Sequence, residues 1–187
     1  MNHTRICRNP LMAFTLLALL AAGCSYTAVP RTVPSLGNSE TPSLTGVQVL
    51  VVNGEKDATL SAVPGSDREN SYFKANRQAW SRMLVESLAR ELARRGALVR
   101  PTAPLTLSIA VPEITFVETR DVYQFRVKAA VTSSRGWSKE YSGIAGVSAS
   151  SVFSIEKEAD RLAGQVLANL IREMLGDAEF LSQLKAS

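Results

Sequence analysis

Three places in this 187-residue chain carry a serine three residues before a lysine: Ser71 to Lys74, Ser154 to Lys157 and Ser182 to Lys185. On a helix that spacing puts a hydroxyl within one turn of an amine that could deprotonate it, as in serine acyl transfer. The Ser-Asp-Asn and Lys-Thr-Gly partners of that chemistry are missing, and three matches in one chain mark a chance pattern. Ser154 is better placed as a helix cap, with Glu156 and Glu158 following in the positive first turn. Histidine and cysteine are scarcer still. His3 is the one histidine, and Cys7 and Cys24 are the two cysteines. A chain that loses its first residues therefore keeps no imidazole, which removes Ser-His-Asp and Cys-His catalysis and zinc sites built on those ligands.

Other candidates have plainer readings. Glu113, Glu118 and Asp121 could pair carboxylates for metal or acid–base work, but they surround an expected strand-to-strand turn and read as solvated. Arg82, Arg90, Arg94 and Arg95 could form an anion-binding stripe. Glu86 precedes Arg90, and Glu91 precedes Arg95, by the four residues that suit ion pairs on a solvated helix face. Trp80 and Trp137 read as core residues and not as a stacking pair. No glycine-rich phosphate loop is visible. The expectation is of no catalytic residue, no metal and no cofactor.

Residues 1–23 have the pattern of a signal segment. Arg5 and Arg8 precede an apolar run, Leu11 to Leu20, which is shorter than the roughly 20 residues that span a bilayer. Ala21-Ala22-Gly23-Cys24 follows at once. Small residues admit a peptidase to the backbone, and the thiol can accept a diacylglyceryl group, so cleavage between Gly23 and Cys24 with lipidation at Cys24 is expected. Attached acyl chains, of the palmitate kind, would hold the chain on a membrane at about 0.8 kcal/mol per buried methylene. Ser25, which is not Asp, favours the outer membrane, with the domain in the periplasm. Loss of residues 1–23 also removes two arginines. The remainder carries 19 basic against 17 acidic residues, which gives no case for a nucleic-acid partner.

Residues 24–43 contain Pro30, Pro34 and Pro42 among serines and threonines and read as a flexible tether with a reach of ~25 Å. A single globular domain is expected over 44–187. Gly46 to Asn53 reads as a buried strand. Asn76 to Arg95 is a helix on the spacing of Trp80, Leu84, Leu88 and Leu92, closed by Gly96. Leu105 to Val111 alternates, the parity flips after Pro112, and a bulge or edge is expected there. Tyr123 to Val131 and Trp137 to about Ala149 complete the strands. Ile155 to Leu175 forms a second helix, and a short tail helix carries Phe180. The order β-α-β-β-β-α predicts an α+β two-layer sandwich: a mostly antiparallel sheet of about four strands with two long helices on one face. The uncovered face would place Thr106 and Ser108 beside Gln124, Arg126 and Lys128 as one mildly basic surface. Those last three residues are the candidate interaction site.

The chain resembles the YajG-like lipoproteins of Gram-negative bacteria. The resemblance is carried by Pro42-Ser43-Leu44-Thr45-Gly46-Val47, by Val52 to Gly54, and by Arg95-Gly96 before an apolar residue. It extends to the alternating strand after Pro104 and to the closing helix at Val166-Leu167 with its Phe180 tail. It implies an envelope lipoprotein of that fold and no reaction. The expected function is a non-catalytic envelope accessory, anchored in a membrane and binding an envelope protein or a lipid or glycan component. The alternatives are a histidine-independent hydrolase or transferase, or a small-ligand carrier.

Overall fold

The structure is a computed structural model that describes residues 26–37, 43–63, 73–151 and 154–186. The expected signal segment and Cys24 lie outside these residues. Among these residues eight strands and three α-helices follow in order: β1 Tyr26–Thr27, β2 Gln48–Asn53, β3 Leu60–Ala62, β4 Phe73–Asn76, α1 Arg77–Arg94, β5 Leu98–Val99, β6 Leu105–Glu118, β7 Val122–Ser133, β8 Ser138–Ser148, α2 Ile155–Gly176 and α3 Ala178–Lys185. They form a five-stranded sheet, β5-β2-β6-β7-β8, and a three-stranded one, β1-β4-β3.

The α+β class holds, but the sheet differs from the expected four mostly antiparallel strands. β2 runs parallel to both β5 and β6, while β6, β7 and β8 are antiparallel. The parallel half follows from α1, which carries the chain from one end of the sheet back to the other between β2 and β6. The second sheet escapes a sequence reading because its strands have two to four residues, too few for alternation to show. β3 lies between the strand expected to end at Asn53 and the helix expected to start at Asn76.

One face of the large sheet is apolar. Val49 and Val51, the odd residues Leu105 to Val111, and Phe125, Val127, Ala129 and Val131 are all buried there. At Pro112 the parity changes as expected. The β6–β7 register shifts between Ala110 and Glu113, after which Ile114 and Phe116 take the inward positions. Trp80, Leu84, Leu88 and Leu92 of α1, with Leu162, Val166, Leu170 and Met174 of α2, close the same core. Two long helices on one face is therefore the observed layering. α1 begins at Asn76, whose side chain accepts from the Ala79 N–H at 2.9 Å. Ser154 holds the equivalent position before α2, but its hydroxyl donates to Glu156 at 3.2 Å and bonds no helix amide.

Candidate functional site

The uncovered face carries the three predicted residues on β7. Register places Gln124 between Val117 and Gly146, Arg126 between Thr115 and Ile144, and Lys128 between Glu113 and Ser142. The expected neighbours are different: Ser108 faces Thr132, and Thr106 meets the β7–β8 turn through its N–H on Ser134 Oγ at 3.1 Å. Antiparallel pairing sets the first half of β7 against the second half of β6, so Thr106 and Ser108 sit at the far end of the face. The expected basic character also changes. Lys128 Nζ lies 2.8 Å from Glu113 Oε2. That contact holds the Glu113 carboxyl below its ordinary range, and Glu113, with Glu140 beyond it, raises Lys128. Arg126 donates from Nε to Gln124 Oε1 at 2.9 Å. The face is thus mixed in charge, with Ile144 and Leu98 exposed on it.

Glu113, expected at a solvated turn, stands in the bulge of β6 well away from Asp121 in the β6–β7 turn. The two do not converge. Among the described residues there is no group of three or more His, Cys, Asp or Glu side chains placed to hold a metal ion. No described helix is long and apolar enough to cross a membrane. Trp80 is fully buried, and Trp137 packs against Phe180 with ring centroids 6.2 Å apart, as core residues would.

The arginine-rich side of α1 is less solvated than expected. Glu91 is buried and pairs with Arg95 at 2.7 Å and Arg94 at 2.8 Å. Arg90 instead donates to Ser87 Oγ at 2.8 Å. Ser87, Arg90, Glu91 and Arg94, with Val33 to Leu36 and Ile171, border a groove of about 320 Å³. A second groove of about 320 Å³ lies between β3 and the β6 bulge, bordered by Asp57, Ser61, Arg77, Pro112 and Glu113 among others. There Arg77 donates to the Pro112 carbonyl at 3.0 Å and pairs with Asp57.

The largest departure concerns the expected tether. Residues 26–37 form a strap along the domain. β1 pairs parallel with β4, and the Ala28 N–H donates to the Lys74 carbonyl at 2.8 Å. Ala28 is fully buried, and its carbonyl accepts from Trp80 Nε1 at 2.8 Å. The Tyr26 hydroxyl donates to Asp160 Oδ1 at 2.6 Å, and Arg31 meets the other oxygen of Asp160 at 3.1 Å. Burial, and then the Asp160 carboxylate, push the Tyr26 hydroxyl up to about 12, so it remains a donor at neutral pH. Farther along, Gly164 of α2 admits the strap: a Cβ there would lie 2.0 Å from the Thr32 carbonyl oxygen. The Leu36 carbonyl accepts from both terminal nitrogens of Arg94 at 3.4 Å. The packed unit therefore includes residues that composition assigned to free chain. One available signal was the buried indole, whose N–H needs an acceptor.

No family model matches the chain, and no curated protein does. Among solved structures it is similar to protein XCC0632 from Xanthomonas campestris, of the family DUF330. The TM-score is 0.56 at 15% identity, over 87% of this chain and 100% of that one. Weaker likenesses are the minor lipoprotein from Acinetobacter baumannii (TM-score 0.40, 12% identity, 76% of this chain and 93% of that one) and lipoprotein GNA1162 from Neisseria meningitidis (0.34, 16%, 70% and 99%). At these identities it is the fold that the Xanthomonas campestris protein shares with this chain.

Proposed function

We propose that the chain is cut before Cys24, acylated there, and works as a membrane-anchored, non-catalytic accessory of a bacterial cell envelope. The observation that carries this reading is Ala21-Ala22-Gly23-Cys24 directly behind the apolar run Leu11 to Leu20. Lipid attachment needs a cysteine at the end of such a run, and once residues 1–23 are removed Cys24 has no second cysteine to pair with. The non-catalytic part is supported by the inventory beyond residue 24, which holds neither histidine nor a second cysteine. Outer-membrane residence is part of the reading through Ser25, and kinship with the YajG-like lipoproteins through the residues that carry the resemblance.

Cys24→Ser should leave an unprocessed or unanchored chain. Acyl labelling with membrane fractionation checks this, and label persisting on the variant would refute the anchor. The open sheet face, through Gln124, Arg126 and Lys128, is the proposed recognition surface for an envelope protein or a lipid or glycan component. Arg126→Glu with Lys128→Glu should weaken capture of whatever co-purifies with the wild type from detergent-solubilised envelopes. Because Lys128→Glu also sets like charges across the strands from Glu113, a small loss of stability is expected alongside. Unchanged capture at the same salt concentration would remove this face from consideration.

A further inference from the structure

The strap changes where an anchored domain can stand. A flexible segment over residues 24–43 would let it float ~25 Å from the lipid. With Tyr26 already paired in β1, only Ser25 separates the domain from Cys24. Two residues of fully extended chain span at most about 7 Å. The headgroup layer on each side of a bilayer is itself roughly 5–8 Å deep.

We infer that the anchored domain rests directly on the lipid headgroups, by the end that carries β1, β4 and the start of α2. This rests on acylation at Cys24 and adds to it the orientation of the domain and the surface it applies to the membrane. The end is defined by the strap's own contacts. Tyr26 pairs with Phe73, and its ring meets the Phe73 ring at 5.7 Å edge-on. Its hydroxyl is held by Asp160, near the start of α2. From there α2 runs 22 residues to α3, about 33 Å of helix. α3 packs at the β7–β8 end of the sheet, where Phe180 meets Trp137 and the Gln183 carbonyl accepts from Arg135 at 3.2 Å. One pole of the molecule therefore meets lipid, and the α3 pole faces away from it.

Surface charge does not drive the contact. Arg31 is answered by Asp160 and Arg161 by Glu158, while the exposed Lys157 stands at the same pole, so part of its basic charge is neutralised within the protein. The short connection imposes the contact, which should then persist without anionic lipid and at high salt, unlike a purely polybasic association.

The mature chain offers a clean test, because its one cysteine is blocked by the lipid and an introduced cysteine is the sole thiol. Lys157→Cys lies one turn before Asp160, and Lys185→Cys ends α3; both side chains are exposed. The acylated, full-length mature protein would be placed in phosphatidylethanolamine–phosphatidylglycerol vesicles bearing a headgroup-linked energy acceptor. A donor at Lys157→Cys should transfer several-fold more than one at Lys185→Cys. Ten Gly/Ser residues inserted between Ser25 and Tyr26 leave the strap docked but add a reach of about 16–19 Å. Transfer at Lys157→Cys should then fall toward that at Lys185→Cys. Equal transfer from the two sites in an acylated protein, or no response to the insertion, overturns the orientation and leaves the anchor standing. Failure of the wild type to acquire acyl chains overturns both.

Discussion

Asp57 shows how a single side chain is set by its surroundings. Its carboxylate accepts from Thr59, including the N–H at 2.9 Å, and is paired with Arg77; these hold it at about 2, against an ordinary 3.8. A carboxyl lowered in the folded state binds its proton less readily there than in the unfolded chain. It therefore stabilises the fold fully above about pH 4, and the contribution is lost as pH falls through about 2. Asp57→Asn should flatten that limb: between pH 4 and pH 2 the urea midpoint of the wild type should fall farther than that of the variant. Parallel curves would show that Arg77 is held by Glu55 and Pro112 alone. Asp177 has a related setting at the α2–α3 junction. Burial works to raise its carboxyl, but the Tyr141 hydroxyl, Lys139 and the Glu179 N–H together bring it below its usual range. None of these partners is a neighbour in sequence except Glu179, so such settings were not legible beforehand.

At the scale of elements, the helices and long strands were legible because each repeats its pattern many times. α1 shows four turns of Trp80, Leu84, Leu88 and Leu92, and β7 alternates through Val131. Leu88 and Leu170 are fully buried on opposite helices of one core. Leu88→Ala and Leu170→Ala should each cost roughly 2–5 kcal/mol, measured by urea unfolding of the domain. Losses near zero would refute the packing of both helices on the sheet. Glu91 is where the helical pattern misled. Its spacing to Arg95 suits a solvated pair, yet the residue is buried under the strap end with two arginines around it. A buried carboxylate requires such partners, because removing them would leave an uncompensated charge. Sequence spacing gives the pair but not the cover.

Across the whole molecule, the strap ties the start of the described chain to α1 and α2. Tyr26 and Arg31 meet Asp160, and Ala28 meets Trp80, across separations of 134 and 52 residues for the tyrosine and tryptophan bonds. A chain that starts at Ser43 should consequently be less stable than one that starts at Tyr26. Leaving the buried Trp80 N–H without an acceptor costs roughly 1–3 kcal/mol. Exposing the contacts of Ala28 and Leu36 adds to this, so about 3 kcal/mol or more is expected in urea unfolding. Equal midpoints would show that the strap contributes nothing to the fold.

What the sequence determined by itself was local or subtractive. It showed the apolar run that ends close before Cys24, the helix periods, the parity change at Pro112, and that no histidine follows His3. These depend on residues close together in the chain, or on simple counts, and need no knowledge of contacts. The parallel pairing of β2 with β6, the short second sheet, the answer to Lys128 from Glu113 and the docking of residues 26–37 were decided only in the tertiary structure. Each depends on which distant group supplies a hydrogen bond or a countercharge. A proline- and serine-rich segment remains free chain only until a buried indole and an aspartate on two different helices provide its partners.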